Sequence, residues 1–185
     1  MNRIILIETS TSLCSTALVE DGRIISERIS GEPRAHASKT ALFVSEMLSE
    51  KGLKVSDCDA VAVSKGPGSY TGLRVFGAGI PMISVGTLDT LVWQALDGNM
   101  LPDGCRYIVP MIDARRMEVY TGIFTPDGKQ VSPTEARIID PDSFKDQLAE
   151  GPVLFIGDGA GKCQETLTSP EARFIQCCPK AASMG

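Results

Sequence analysis

The feature that most constrains the fold is an order of predicted elements that occurs twice along the chain. Each copy consists of three strands in a meander, a helix, a buried strand and a glycine-containing loop. The first strand of each copy ends at an acidic residue, Glu8 or Asp113, and an Asp-Gly hairpin turn lies further along each copy. This order predicts a structural duplication of two α/β lobes, each built on a mixed sheet.

The bounds of the predicted elements follow the apolar runs and the turn residues. In the first copy, strands are predicted at 3–7, 14–19, 24–29 and 59–63, with a helix at 37–51. A further strand at 80–85 precedes a helix capped by Thr87. In the second copy, strands are predicted at 106–112, 118–124, 130–131, 152–156 and 173–175, with helices starting at Pro141 and after the glycine loop. A linker after Gly98 divides the lobes into 1–98 and 99–185.

Composition excludes several classes of function. The chain has a net charge of −5 and its 18 basic residues are scattered, which argues against direct binding of nucleic acid. With the single histidine His36, a multi-imidazole metal site or a Ser–His hydrolase is hard to build. The six cysteines lack zinc-ligand spacing and are predicted to be free thiols. No apolar run suits a signal peptide or a membrane span, so the protein is predicted to be cytoplasmic, with no membrane partner.

Three stretches are candidates for holding a phosphate group. Residues 64–74 combine three glycines with Lys65 and Arg74, so their backbone N–H groups and cationic side chains would suit an anion, although a tight turn is the alternative. The other two stretches follow the first strand of the first lobe and the last buried strand of the second, and their candidate residues are Thr9, Ser10, Thr11, Gly157, Gly159 and Gly161. The glycine series lacks Walker spacing and is also typical of an ordinary turn.

Two acidic residues and one helix face each have two interpretations. Asp113 and Glu118 are either paired catalytic carboxylates or ordinary charges at a strand end. The predicted helix at 37–51 has a broad apolar face that either packs in the core or forms part of a partner interface, since Leu42 lies off the core face. The residues of this face taken as interface candidates are Ala41, Val44, Met47 and Leu48.

Three motifs together resemble the bacterial TsaB (YeaZ) family. They lie at residues 7–11 (Ile-Glu-Thr-Ser-Thr), 66–74 (Gly-Pro-Gly-Ser-Tyr-Thr-Gly-Leu-Arg) and 83–89 (Ile-Ser-Val-Gly-Thr-Leu-Asp). The resemblance implies the actin-like ATPase (ASKHA, ribonuclease H-like) fold. It also implies a non-catalytic partner of TsaD that works with the ATPase TsaE. That complex, supplied with threonylcarbamoyl-adenylate by TsaC, forms threonylcarbamoyladenosine in tRNAs that read codons beginning with A.

The resemblance carries further expectations about partners and ligands. It implies pairing with a TsaD-like subunit, a homodimer when that subunit is absent, and contact with tRNA only through the complex. No cofactor is firmly implied, but ATP or ADP is expected at an interface shared with TsaD and TsaE if a nucleotide binds. Besides the helix face, the candidate partner contacts are Lys65, Tyr70 and Arg74.

The sequence departs from the family pattern at two places. Family members carry additional residues between Arg74 and Phe76, and they continue past Met184 with a further helix. Because the sequence on both sides of each gap matches the family closely, we expect that a loop and a tail are missing from the chain as given.

A scaffold subunit is the first functional hypothesis. The hydroxyl loop after Glu8 lacks the glycine that lets a phosphate approach the backbone, and one histidine cannot supply the paired histidines of TsaD. The alternative is an active ATP-dependent phosphotransferase or hydrolase of the same fold that depends on Glu8 and Asp113. A protease is a weaker third hypothesis, because no nucleophile–base pair is evident.

Overall fold

The first of two mixed sheets contains five strands around a parallel centre. The structure is a computed structural model that describes residues 2–32, 36–69 and 79–184, apart from the side chain of Ala37. The strands are β1 (Arg3–Glu8), β2 (Cys14–Glu20), β3 (Arg23–Ser30), β4 (Ala60–Ser64) and β5 (Met82–Val85), in the order β3-β2-β1-β4-β5. The first three form an antiparallel meander, and β4 and β5 continue the sheet in parallel with β1. Helix α1 (His36–Glu50) and a short 3-10 helix (Val55–Asp57) connect β3 to β4.

The second sheet repeats this topology. Helix α2 (Thr87–Asp97) leads from β5 towards it, and its strands are β6 (Tyr107–Asp113), β7 (Glu118–Thr121), β8 (Glu135–Ile138), β9 (Val153–Gly157) and β10 (Ala172–Gln176). Their order is β8-β7-β6-β9-β10, with β6, β7 and β8 antiparallel and β6, β9 and β10 parallel. Helix α3 (Lys145–Ala149) precedes β9, and a 3-10 helix (Gly161–Cys163) follows it. The predicted duplication and the actin-like α/β fold of two mixed-sheet lobes are therefore confirmed.

The central strands are buried on both faces, which explains their continuous apolar sequences. In the first sheet, alternate residues of β1 point to opposite faces. One face, with Ile5 and Ile7, packs with Val44, Met47 and Leu48 of α1. The other face, with Leu6, packs with Ala181 from a closing 3-10 helix (Ala181–Met184). In the second sheet, residues such as Val109, Phe155 and Phe144 form a separate core.

The compact units differ in their bounds from the predicted lobes. The first unit contains residues 1–90 and 179–185, and the second contains residues 91–178. The division falls inside α2 rather than after Gly98. The last residues belong with the first unit because the Ala181 N–H donates to Ser15 Oγ at 3.0 Å and the Ala181 side chain packs against the first sheet. Sequence periodicity locates elements but cannot tell which sheet a terminal segment joins.

Four predictions about local elements are wrong. The third strand of the second meander lies at Glu135–Ile138, because Gln130 makes a single bridge with Phe124 while Thr121 pairs with Glu135. The helix predicted from Pro141 is reduced to Lys145–Ala149, because Phe144 has a positive φ of 60° and ends the preceding turns. The helices predicted after the glycine loop and at the end of the chain are 3-10 helices.

The cap of α2 also differs from the prediction. Gly86, not Thr87, precedes the first helical residue, and its carbonyl accepts the Thr90 N–H at 3.0 Å. A Cβ at position 86 would overlap the Asp89 carboxylate, which folds back over the glycine. The Thr87 hydroxyl is buried and finds no hydrogen-bond partner in the described part of the chain. Gly86 rather than Thr87 therefore occupies the position before the helix, and its lack of a side chain leaves room for the Asp89 carboxylate.

Candidate functional site

The loops after β1 and β4 lie side by side because these two strands are parallel neighbours. The Ser69 N–H donates to the Ser10 carbonyl oxygen at 2.8 Å. Gly68 has φ of +129°, and a Cβ there would overlap the same carbonyl. The glycine of the second loop thus lets its backbone lie directly against the first loop. The close approach that the glycine permits is to Ser10 of the same unit.

The predicted phosphate residues of the first loop are buried. Thr9, Ser10 and Thr11 are all buried, and the Leu13 N–H donates to Thr11 Oγ1 at 3.4 Å. The Ser10 hydroxyl is buried with no hydrogen-bond partner among the described residues. A phosphate could reach these hydroxyls only after the loop opened. Phosphate binding there remains a prediction.

Glu8 ends β1 and is fully buried. Its Oε1 accepts the Ser10 N–H at 2.6 Å, while its Oε2 has no hydrogen-bond partner within the described residues. Burial raises the pKa of this carboxyl, and the neighbouring groups of Ser10, Ser64 and Thr9 act in the opposite direction without cancelling the rise. The side chain is therefore biased towards its neutral form. An enclosed carboxyl with a raised pKa is poorly suited to hold a cation beside a nucleotide.

The glycine loop after β9 satisfies its own backbone. The Gly159 N–H donates to the Met111 carbonyl oxygen at 3.0 Å, and the Gly161 N–H donates to Gln176 Oε1 at 2.6 Å. Gln176 Nε2 in turn donates to the Asp158 carbonyl oxygen at 2.8 Å. Gly157 has φ of +136°, and a Cβ there would overlap the Met111 carbonyl oxygen. The N–H groups of Gly159 and Gly161, which an anion would need, are already used inside this unit.

Lys162, at the end of the same loop, binds groups of the β6–β7 turn. Its ammonium group donates to Asp113 Oδ1 and, at 2.7 Å each, to the carbonyl oxygens of Arg116 and Glu118. These acceptors use all three of its protons. Lys162 also holds the pKa of Asp113 below its usual range, whereas burial raises the pKa of the adjacent Asp158. Asp113 is therefore an ion-pair partner of Lys162 and does not form a carboxylate pair with Glu118.

The predicted partner face of α1 divides by exposure. Val44, Met47 and Leu48 are buried in the core of the first unit, as the core interpretation of this helix predicted. Ala41 is exposed, and Leu42 is half exposed. A groove of about 230 Å³ runs beside the helix, and it is lined by Ala41, Val44, Ser45, Leu48, Ser49, Leu53, Lys54 and Val55. Contact with a partner through this helix remains a prediction.

Of the remaining interface candidates, one lies in the described chain. Lys65 is exposed at the end of β4, and its N–H donates to the Val85 carbonyl oxygen at 2.8 Å. Tyr70 and Arg74 lie outside the described residues. Their proposed partner contacts stay predictions.

Sequence reasoning missed two features of the second unit. It did not identify Gln176 as the side chain that binds both sides of the glycine loop, because no local pattern links residues so far apart in the chain. It also passed over Arg115 and Arg116, which adopt positive φ values of 72° and 49° in the β6–β7 turn. Two adjacent arginines, separated from a strand-end acid by one alanine, were the available signal.

The described residues contain no group of three or more His, Cys, Asp or Glu side chains that could hold a metal ion. Across the same residues, no helix has the length and apolar character to cross a membrane.

Comparison with known proteins gives consistent matches over most of the chain. The family model of TsaD, tRNA N6-adenosine threonylcarbamoyltransferase, matches residues 24–154. The tRNA threonylcarbamoyladenosine biosynthesis protein TsaB of Escherichia coli (strain K12) is 32% identical over 171 residues, which cover 85% of this chain and 71% of that protein. TsaB of Bacillus subtilis (strain 168) is 32% identical over 168 residues, with 83% and 70% covered.

A solved structure extends the likeness to the whole described fold. YeaZ from Pseudomonas aeruginosa superposes with a TM-score of 0.79 at 26% sequence identity, and the match covers 100% of this chain and 89% of that one. The 32% identity to the two TsaB proteins, over more than two thirds of their length, agrees with this structural similarity. The predicted resemblance is therefore confirmed, and the chain belongs to the TsaB (YeaZ) family.

Proposed function

We propose that this protein is a non-catalytic subunit in the biosynthesis of threonylcarbamoyladenosine in tRNA, where it pairs with a TsaD-like subunit and works with a TsaE-like ATPase. The observation that carries the proposal is the 32% identity to TsaB proteins of two distant bacteria over more than four fifths of the chain. The family-model match to TsaD supports a partner of like fold, since like-folded lobes can pair through equivalent surfaces.

The loop geometry supports an accessory role over a catalytic one. Catalysis of phosphoryl transfer depends on donors and cations aimed at the phosphates. Here Glu8 is buried and biased towards its neutral form, and Lys162 is bound by Asp113 and two carbonyl oxygens. If ATP or ADP binds, we propose that it does so at a surface shared with the partners. The net charge of −5 supports indirect contact with tRNA through the complex.

The exposed side of α1 is the proposed contact for the TsaD-like subunit. Ala41 lines the groove, and the next residue, Leu42, is 51% exposed. A half-exposed leucine can be buried by a partner without disturbing the core. Substitutions of Val44 or Met47 would not test this contact, because they would disrupt the core first.

The decisive experiment is reconstitution of tRNA threonylcarbamoylation with TsaC, TsaD and TsaE. We expect Leu42→Glu to lower the affinity for TsaD by at least about tenfold, because it places a charge in an apolar contact. Val131→Glu is the matched control, since Val131 is also 51% exposed but lies in the second unit. Both variants should keep the wild-type melting temperature. Equal TsaD binding by Leu42→Glu and wild type would exclude this contact surface.

The non-catalytic assignment has its own measurement. We expect the isolated protein to turn over ATP no faster than a buffer blank. ATP hydrolysis that depends on Glu8 or Asp113 would overturn the assignment and favour a phosphotransferase or hydrolase.

A further inference from the structure

The β6–β7 turn of the second unit presents two arginines to solvent. Arg115 and Arg116 are exposed and both have positive φ values, a conformation that non-glycine residues adopt rarely. Arg3, Arg28 and Arg137 form ion pairs, but neither turn arginine lies within 4 Å of a carboxylate among the described residues. The turn borders a pocket of about 560 Å³ lined by Ala114, Arg115, Arg116, Met117, Glu118 and Ile138. The pocket differs from the loops after β1 and β9, because its two arginines are exposed.

The pocket adjoins the open edge of a sheet. Strand β8 is the edge strand next to β7, and the Ile139 N–H donates to the Met117 carbonyl oxygen at 2.8 Å. Residues 139 and 117 are thus a hydrogen-bonded pair of the antiparallel ladder. Because such pairs alternate along a ladder, Ala136 and Ile138 point their main-chain N–H and C=O groups away from β7. Two rungs of the ladder are therefore free at this edge of the described sheet.

The same edge exposes apolar side chains. Ile138 is 71% exposed, and Tyr120 lies on the same face of the sheet because Glu118 pairs with Ile138 two residues earlier in β7. The opposite face is closed, with the Arg137 guanidinium 4.5 Å from the centre of the Phe144 ring. An exposed edge strand with a large apolar residue is a template for pairing with another chain unless something covers it.

We propose that β8 and the β6–β7 turn, here called the arginine edge, bind an extended segment of a partner protein that carries carboxylates beside apolar side chains. The segment adds as a strand to β8 through the main-chain groups of Ala136 and Ile138. An apolar side chain packs on Ile138 and Tyr120, and carboxylates pair with Arg115 and Arg116. Charge complementarity selects an acidic segment, since Glu118 is the one acidic residue among the pocket-lining side chains.

The apolar character of the arginine edge favours a protein over RNA. RNA contacts rely on several phosphate-binding cations, whereas this pocket offers two arginines beside an isoleucine and a methionine. Arginine, tyrosine and methionine are enriched at protein interfaces. On the topologically equivalent edge strand β3, Arg28 pairs with Glu46 and Glu50 of α1.

The test uses the full chain and a short capped peptide in which glutamate alternates with valine. We expect saturable binding at peptide concentrations up to about 1 mM, weakened by added salt. Amide hydrogen exchange at Ala136 and Ile138 should slow when the peptide is bound. The double variant Arg115→Glu with Arg116→Glu should bind at least about tenfold more weakly. Ala136→Pro should do the same, because it removes an outward N–H at an edge where proline is tolerated.

Matched controls separate this site from general electrostatics. The double variant Arg23→Glu with Lys51→Glu makes the same charge change at two other exposed positions and should bind normally. Any one of several results would overturn the proposal. They are no saturation by about 1 mM peptide, equal binding of a lysine–valine peptide, unchanged binding by both test variants, or binding of a single-stranded RNA at these residues instead. Self-association of the free protein through β8, seen by sedimentation with already slow exchange at Ala136, would assign the edge to a second copy.

Discussion

Glu8 and Asp113 end the same strand in the two copies of the fold, yet their surroundings have opposite effects. Glu8 is enclosed by hydroxyl-bearing residues, no cation of the described chain is among the groups that shift its pKa, and burial raises that pKa. Asp113 is half exposed and bound by Lys162, which lowers its pKa. The turns that follow these residues differ accordingly, because residues 9–11 are buried while Arg115 and Arg116 face solvent. A duplicated topology therefore keeps the position of an acid, whereas its surroundings shift the pKa in opposite directions.

The largest expected effect tests whether both glycine loops need their close backbone approach. At positive φ, Gly68→Ala places a Cβ on the Ser10 carbonyl oxygen of the neighbouring loop, and Gly157→Ala places one on the Met111 carbonyl oxygen of β6. We expect each to lower the free energy of unfolding by at least about 3 kcal/mol, measured by urea denaturation. Gly104→Ala is the control, since its φ is +70° but nothing lies within 4 Å. That variant should lose about 1 kcal/mol. A well-tolerated Gly68→Ala would show that the two loops are not equivalent.

The next largest effect on stability compares Lys162, which follows β9, with Lys65, which follows β4. Lys162→Met removes the donor to Asp113 and to the carbonyl oxygens of Arg116 and Glu118. We expect a loss of about 2 kcal/mol in the free energy of unfolding, because those acceptors lose a charged donor. Lys65→Met is the counterpart after β4 and should change it by less than about 0.5 kcal/mol, since Lys65 is exposed. Equal losses from both variants would contradict the structural role of Lys162.

The smallest effect concerns the pH dependence of stability at the two strand-end acids. Because the pKa of Glu8 is raised in the folded state, its ionisation disfavours folding as the pH rises above the unfolded value of about 4.3. Glu8→Gln should therefore be more stable than wild type at pH 7, and the difference should shrink as the pH falls towards 4. Thermal unfolding at several pH values measures this difference. A gap that widens towards acid pH would show that Glu8 is charged and paired in the folded protein.

Asp113→Asn should show the opposite sign. The lowered pKa of Asp113 contributes stability above the unfolded value of about 3.9, and this contribution is lost as the pH falls through the lower folded value. Because Asp113 is nearly half exposed, we expect the variant to lose only about 0.5–1 kcal/mol at pH 7. The two unfolding curves should converge only once the pH has fallen below the lowered folded pKa of Asp113. If the stability of Asp113→Asn and of wild type changed with pH in parallel, the pairing of Asp113 with Lys162 would not contribute to stability.

Much of the fold followed from local patterns. Apolar runs placed β1, β4, β6 and β9 to within one residue at each end, and amphipathic spacing placed α1, because burial on two faces or on one face leaves a short-range periodicity. The third strand of the second meander did not follow. Its position depends on which residues pair with β7, and Gln130 has no local feature that excludes it from that pairing.

The candidate site was predictable in its location but not in its chemistry. The sequence placed the hydroxyl loop after β1 and the glycine-containing loops after β4 and β9, and the structure has them there. It did not reveal that Gln176 occupies the Gly161 N–H or that Lys162 is used by residues of the β6–β7 turn. These contacts join segments 15 and 49 residues apart, and no spacing rule connects them.

By itself, the sequence determined the duplication, the order of strands and the family, because each is written in short motifs and local periodicity. The tertiary structure alone decided which strand-end acid is buried, which lysine is bound and which arginines stay exposed. The physical reason is that burial and ion pairing depend on groups brought together from distant parts of the chain. Asp113 has a lowered pKa because β9 delivers Lys162 beside it, whereas no cation reaches Glu8 in its buried loop within the described residues.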